Sequence, residues 1–404
     1  MPHNRIYLCL AHMSDSGLEQ KYIKEAFDTN WVVPLGPNVN GFETDLENFI
    51  NIGADCNSSD YKHVVALSSC TAAIHLALLH LGVSAGDEIL CQDFTFCASC
   101  NPVTYCGATP VFIDSEPDTW NMSPELLEKA IRDRIAKTGR KPKAIIVVDL
   151  YGMPADWEAL EAVAQCYGIP LIEDAANALG SYYKGKPCGV FGNIRTLSFN
   201  GNKIITTSGG GALVCDDEDT KRHTINLATQ AREPRPYYQH ETIGFNYRLS
   251  NICAGIGRGQ MTILNDHIAH HKHVFALYKT LLDPMEGFTV HDNPNERYDS
   301  NFWLTTITID PNLRIKGQAD NSFEGEPNAN VEALRVFLDE CGIEARPLWK
   351  PMHMQPVYKD APAYVNGVSE RLFKTGLCLP SGPCVSDEDV HYIVDCIKQA
   401  VDLH

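Results

Sequence analysis

Short, almost wholly apolar runs alternate with helix-like stretches through the first half of the chain. HVVALSS (63–69) reads as a buried strand, and TAAIHLALLHLG (71–82) as a helix stopped by Gly82. DEILCQD (87–93) is the next strand, ASCNPVTYCG (98–107) is helix-like, and PVFID (110–114) is a strand again. Ser123 and Pro124 supply the cap and first position of a helix reaching about Ala136. KAIIVVDLYG (143–152), DWEALEAVAQCYG (156–168) and IPLIEDAA (169–176) continue as strand, helix and strand. Strands apolar on both faces, separated by helices, predict a mostly parallel sheet sandwiched by helices, the α/β class.

The flanks read differently. A helix capped by Ser16 or Asp15 runs through Phe27, with Leu18, Tyr22, Ile23, Ala26 and Phe27 on one face. A loop, WVVPLGPNV, and a second helix from about Gly41 to Ile52 follow. Beyond Cys215 the periods lengthen. Residues 252–282 read as one long helix, NFWLTTITID (301–310) as a strand, and 331–342 and 387–401 as helices. The polar, glycine-containing stretch 311–330 reads as a surface loop. The predicted division is a large α/β domain with N-terminal helices over residues 1–267 and a smaller α+β domain over 268–404.

Charge narrows the partners. Against 33 Lys+Arg stand 51 Asp+Glu, a formal net charge of −18. Nucleic acid and anionic membrane surfaces both need a cationic field, so neither is an expected partner. A small anionic ligand has to be held by local arginines or by helix N-termini. The 15 cysteines are odd in number and scattered through core-like segments, unlike a secreted disulfide framework. With no signal-peptide pattern at the start and no apolar run of membrane length, the expected location is the cytoplasm.

Several stretches carry candidate chemistry. LSFNGNKIITTSGGGALV (197–214) places Lys203 among small and hydroxylated residues between two apolar runs. Held away from water, an amine there loses basicity and becomes a nucleophile toward carbonyls; taken alone, an exposed lysine is the commoner reading. SSCT puts Thr71 where a strand turns into a helix, a place for a phosphate or for an ordinary cap. DFTFCAS sets Phe96 just past a strand end, as a stacking ring or as core. In LIEDAANALGS, Glu173 and Asp174 end an apolar strand, where ligands of open α/β sheets gather; a cation facing such an acid lowers its pKa, and a helix cap is the alternative. Arg232, Arg235 and Arg248 lie in one aromatic-rich segment suited to clamping an anion, and EARPLWKPMH adds Arg346, Trp349, Lys350 and His353 in a proline-bracketed turn. Cys97 and Cys100 form a C-x-x-C without a second pair at zinc spacing, so no metal is expected. His267 and His271, one helical turn apart with no third ligand in sight, read as a solvated face.

SSCTAAIHLAL, DFTF, IEDAANALGS, SFNGNKIITTSGGG, GFNYRLSN and ARPLWKPMH occur in the order seen in sugar aminotransferases of the DegT/DnrJ/EryC1/StrS group, which the chain resembles from about Ile6 to its last helix. The resemblance is nearest to the UDP-4-keto-6-deoxy-N-acetylglucosamine aminotransferases of the bacillosamine type. It implies the aspartate-aminotransferase (fold type I) architecture, pyridoxal 5'-phosphate as cofactor, L-glutamate and a UDP-linked 4-keto-6-deoxy-N-acetylhexosamine as substrates, and a homodimer with shared sites. By the same resemblance Lys203 matches the lysine that binds the cofactor and then shuttles protons. Asp174 matches the acid facing the pyridinium nitrogen, and Asn177 the polar residue at the phenolic oxygen. Phe96 matches the stacking aromatic; Cys70, Thr71 and Ser198 match phosphate contacts. Asn246 matches an asparagine reaching the neighbouring subunit's phosphate. Arg232, Arg235, Arg248 and Arg346 are candidates for the donor carboxylate or the diphosphate, and Trp349 and His353 for sugar contact. Two departures stand out: Cys70-Thr71 replaces a common Gly-Thr pair, and Ser208-Gly209-Gly210-Gly211 replaces a common Gly-Glu-Gly-Gly. The second removes a negative charge, is shared with bacillosamine-type members, and points to substrate class. A related dehydratase branch carries histidine at the lysine position, which this chain does not, and a non-catalytic sensor of the same fold is the rival from outside enzymology.

Overall fold

In the computed structural model, residues 5–52, 58, 60–323 and 325–401 are described; Glu324 of the expected surface loop lies outside them. The main sheet has eight strands in the order His63–Leu67, Gly211–Cys215, Ile194–Ser198, Leu171–Asp174, Ala144–Val148, Glu88–Gln92, Thr109–Ile113 and Ala363–Tyr364. Every pairing from Ile194–Ser198 outward is parallel. Gly211–Cys215 runs antiparallel to both its neighbours. The parallel strands are buried on both faces, which is why they read as continuous apolar runs rather than alternations. One face packs on Val39, Phe42, Leu46, Leu127, Ile131, Trp157 and Leu160; the other packs on the helix Cys70–His80 through Ile74, Leu76 and Leu78. This is the predicted α/β sandwich.

A second, antiparallel sheet orders Phe288–Val290, Thr305–Ile309, Gly376–Leu379 and Arg346–Pro347. Helices Leu264–Leu282, Ala329–Glu340 and Asp387–Ala400 contribute its core, with Val274, Tyr278, Leu334, Leu338, Ile393 and Ile397 buried. Ile6 joins that core and bridges to Ile343, so the start of the chain is tied to its later part. No helix among the described residues is long and apolar enough to cross a membrane.

The helix expectations need four corrections. The first helix, Leu18–Asp28, takes Gly17 at its N-cap with φ 68° and no side-chain cap, because Ser14 and Ser16 bond one another instead. The second, Pro37–Ile50, begins before Gly41: its free N–H groups at Asn38 and Val39 donate to Asn251 Oδ1 (2.9 and 3.3 Å), a cap supplied from 213 residues away. Residues 252–282 are two helices, Asn251–Met261 and Leu264–Leu282. Thr262 and Ile263 donate to Gly259 and Gln260 in tighter turns that break the rod. The histidines of the second piece do not face solvent. His267 and His271 are buried (5% and 0% exposed), His267 Nδ1 lies 3.0 Å from the Ile204 carbonyl oxygen, and burial holds His271 down to about 3.

Three glycines let Asn251–Met261 lie almost in contact with its neighbours. A β-carbon at Gly257 would stand 2.7 Å from Phe42 and 2.8 Å from Thr207, and one at Gly259 would stand 2.6 Å from the backbone nitrogen of Glu19. Gly255 is similarly close to Tyr22 and Asn38. This packing matters for the site because Thr207 belongs to the segment that carries Lys203. Gly259→Ala is therefore expected to destabilise the protein by about 1–3 kcal/mol despite the helix-propensity gain of roughly 1 kcal/mol, because backbone cannot yield as a side chain does. A chemical-denaturation midpoint unchanged or raised would contradict this.

Candidate active site

The carboxyl ends of the parallel strands converge on one cavity of about 560 Å³. Ser68 and Ser69 follow one strand, Thr95 and Phe96 another, Val148 and Asp174 end two more, and Ser198 ends a fifth. This is where an open α/β sheet places a ligand, since the helix N-termini point there too. Of the residues singled out in the sequence, Cys70, Thr71, Phe96, Asp174, Asn177, Ser198, Lys203, Arg346 and Trp349 line this cavity.

Lys203 rides on the connection between Ile194–Ser198 and its antiparallel neighbour Gly211–Cys215. The connection is closed by Phe199 N–H to the Gly210 carbonyl and Thr207 N–H to the Phe199 carbonyl, both 2.9 Å. Gly211 is required where it stands: a β-carbon would fall 2.2 Å from the Cys70 nitrogen, so glycine alone lets the strand pass the helix start. The amine donates to Asn177 Oδ1 at 2.6 Å and lies 4.2 Å from the centre of the Trp303 ring. Burial lowers its pKa to about 8, against the partial opposition of Asp174. An amine so placed supplies a neutral, nucleophilic fraction near neutrality.

Asp174 is buried. Its Oδ2 accepts from Ser99 Oγ at 2.7 Å, and its Oδ1 accepts from the Ala176 N–H at 3.1 Å and from the Cys70 thiol at 3.7 Å. A cation facing this acid is expected to lower it. Burial instead raises it, outweighing the donated hydrogen bonds and the opposing charge of Lys203. Glu173, one residue earlier, points away from the cavity and accepts the N–H groups of Gly189 and Phe191. Burial and the nearby Asp149 push its carboxyl well up.

The donor set fits the expected pyridoxal phosphate. Ser69 caps the helix Cys70–His80, accepting from Ala72 at 3.1 Å, and Ser68, Ser69 and Thr71 line the cavity beside that helix start. A dianion is stabilised there by free N–H groups and the helix dipole. A buried carboxylate at this strand end suits a pyridinium N–H, and an amine of lowered pKa suits an aldehyde. Phe96 is 56% exposed, its ring 5.6 Å from Trp349.

The other candidates lie elsewhere. Arg248 departs from the anion-clamp expectation: its Nη1 donates to Glu43 Oε1 at 2.9 Å and to the Ala66 carbonyl at 3.2 Å, so its charge is already met inside the fold. Arg232 and Arg235 are exposed outside the cavity, Arg232 lying over the Tyr238 ring. Asn246 is exposed and does not line the cavity of its own chain. His353 is turned off the cavity onto Asp93, with Nδ1 2.6 Å from Oδ2. Arg346 sits at the rim, bound to Glu344 at 2.9 Å. Two residues were missed. Ser99 stands in the quoted DFTFCAS run, and its hydroxyl was the available signal. Trp303 donates its indole N–H to the Asn202 carbonyl at 2.6 Å, and nothing in the sequence links it to Lys203.

Comparison with known proteins agrees with this geometry. Residues 14–398 match the DegT/DnrJ/EryC1/StrS aminotransferase family. The chain is 46% identical over 400 residues to EpsN of Bacillus subtilis (strain 168), described as a pyridoxal phosphate-dependent aminotransferase, covering 98% of this chain and 95% of that protein. It is 35% identical to the GDP-perosamine synthase of Escherichia coli O157:H7, covering 97% and 98% of the two. A DegT DnrJ EryC1 StrS aminotransferase from Brucella abortus superimposes with a TM-score of 0.82 at 28% identity, covering 95% of each chain.

In the cofactor-free protein, reductive methylation of Lys203 by formaldehyde should rise with pH and reach half its plateau at about 8, because only the neutral amine reacts. Asp174→Asn removes the main charge holding the proton on and should move that midpoint lower. Peptide mass spectrometry reads both, and a Lys203 midpoint near the ordinary 10.5 would overturn the assignment.

Proposed function

Because the chain belongs to the DegT/DnrJ/EryC1/StrS aminotransferase family, we propose that it moves an amino group from L-glutamate to the 4-keto carbon of a UDP-linked 2-acetamido-4-keto-2,6-dideoxyhexose. The observation that carries the aminotransferase reading is the Lys203 amine, desolvated in the cavity and held 2.6 Å from Asn177 beside the buried Asp174. Pyridoxal 5'-phosphate, the cofactor of this class, supplies the carbonyl that takes the amino group and the ring that absorbs the resulting electron pair. The chain's own part is positional and protic. Asp174, enclosed by Ser99 and Cys70, would face the ring nitrogen and favour its protonated form. Asn177 orients Lys203 Nζ, which would carry protons at the donor and acceptor carbons. Cys70, Thr71 and Ser198, with Ser68 and Ser69 beside them, line the cavity where they would hold the phosphate, and Phe96 would stack on the ring.

The acceptor reading rests on Gly209. It lines the cavity, and a β-carbon there would meet nothing within 4 Å. With no side chain and no charge at this point, the cavity has room for an uncharged substituent such as an acetamido group. The competing reading is a GDP-linked keto sugar, favoured by the 35% identity to a GDP-perosamine synthase; a dTDP sugar is the third. Turnover of UDP-, dTDP- and GDP-4-keto-6-deoxy sugars with glutamate, followed by mass detection of the amino sugar, decides among them. The UDP-N-acetyl substrate is expected to give the highest kcat/KM. Purified protein that stays colourless with pyridoxal phosphate and forms no pyridoxamine form with glutamate would sink the whole reading.

The proposal includes a homodimer with shared sites, working in the cytoplasm. Trp31, Val32, Val33 and Leu35 are 39–53% exposed, and Tyr238 and Ile243 each 82%, more apolar surface than a free segment ordinarily carries. Asn246 follows on the same loop and would reach the other subunit's phosphate. Co-refolding Lys203→Ala with Asn246→Asp chains should then recover activity that neither has alone, since each mixed dimer keeps one site with both native residues. Mixtures as inactive as the single variants would exclude shared sites.

A further inference from the structure

Asp93 and His353 lie outside the cavity, yet the two aromatic rings that face each other at its mouth hang from them. Asp93 follows the strand Glu88–Gln92, is fully buried, and stands three residues before Phe96. His353 belongs to the short turn Met352–Met354, four residues after Trp349. Asp93 Oδ1 accepts the His353 backbone N–H at 2.8 Å, Oδ2 accepts its Nδ1–H at 2.6 Å, and the Asp93 carbonyl accepts the Met352 N–H at 2.9 Å. Ser369 Oγ, at the start of the helix Val368–Thr375, donates to the same Oδ2 at 3.0 Å. One carboxylate thus ties the strand end at Asp93 to the turn of His353 and the helix start at Ser369, 260 residues or more later. Upstream, the Trp349 N–H donates to the Tyr151 hydroxyl at 2.8 Å. Between these two ties Trp349 faces Phe96 at 5.6 Å and 48°.

We propose that the His353–Asp93 pair is a latch that sets the spacing of Phe96 and Trp349 at the cavity mouth, making His353 a positioning residue rather than a sugar contact. The proposal rests on this cavity being the aminotransferase site. The charged groups facing the imidazole are Asp93 and Asp114 at two strand ends and Glu370 on the helix Val368–Thr375. Asp114 is itself bonded to the N–H groups of Asn366, Gly367 and Ser369. Burial opposes the charge on His353, but these three carboxylates outweigh it and hold the imidazole above its usual 6.5. A group raised in this way contributes its full stabilisation below its unfolded pKa. That contribution is lost as pH rises through the folded value. The latch is therefore closed in mildly acid solution and loosens as pH climbs.

The test uses the full-length cofactor-free protein and the Trp349 emission, isolated by difference against Trp349→Phe. Acrylamide quenching of Trp349 should be low and constant in acid and rise with pH above 6.5. His353→Gln, which keeps a donor but no charge, should show the raised quenching at every pH. Ser369→Ala leaves Asp93 more dependent on the imidazolium and should shift the transition to higher pH, which keeps the test available if His353→Gln does not fold. In turnover, His353→Gln should raise the acceptor KM about tenfold, equivalent to ~1.4 kcal/mol of lost placement, with kcat little changed. Quenching that is flat with pH in the native chain, or a Ser369→Ala transition that does not move up, overturns the latch. A normal quenching transition in protein that fails to turn over the UDP-sugar upholds the latch and counts against the proposed acceptor alone.

Discussion

The site depends on holding one partly buried amine beside a buried acid. Water around Lys203 would restore its ordinary basicity and leave it protonated. The fold prevents this by running Gly211–Cys215 antiparallel to its neighbours, so that the chain leaves Ser198, turns through the lysine loop and returns within one strand spacing. That reversal sets Lys203 against the carboxyl ends of the parallel strands, where Asn177 and Asp174 already stand. Trp303, from the segment beside the second sheet, places its ring 4.2 Å from the amine.

Holding the reversal in place requires unusually close backbone approaches. Gly211 passes the start of the phosphate-side helix, and Gly257 lets the helix Asn251–Met261 press on Thr207 in the lysine loop. Gly152, at φ 97°, leaves room for Asn301, whose carboxamide donates to the Asn177 and Leu179 carbonyls. Asn301 is thereby tied both to the strand-end loop and, through its Oδ1, to the Trp303 N–H. This buried amide is one of the ties that bring the two sheets together at the site. The acid on which cofactor placement rests is also held by specific donors: Ser99, Cys70 and the Ala176 N–H all donate to Asp174.

Much of this was legible beforehand. The strands from His63 to Asp174 announced themselves because burial on both faces forces continuous apolar runs, and the ends of those runs marked the cavity. Lys203 among small residues, and Phe96 and Asp174 at strand ends, each had a structural reading when taken alone; it was their order along the chain that pointed to one site. The helix boundaries were less legible. The cap of Pro37–Ile50 comes from Asn251, and the break at Thr262–Ile263 bends a pattern that stays apolar throughout, so local periodicity carried no sign of either.

What the sequence by itself determined is the class of chemistry and the list of polar groups available for it, because a lysine in a turn of small residues, a strand-end acid and helix-start hydroxyls are visible in linear order. What only the tertiary structure decided is which of those groups act together. Arg248 and Glu43 are 205 residues apart and cancel each other; His353 and Asp93 are 260 apart and form a clamp rather than a binding surface. Trp303 reaches Lys203 across a hundred positions with no motif to announce it. Ion pairs and ring contacts depend on distances of a few ångströms in space, and a linear order of residues does not contain those distances until the chain has packed.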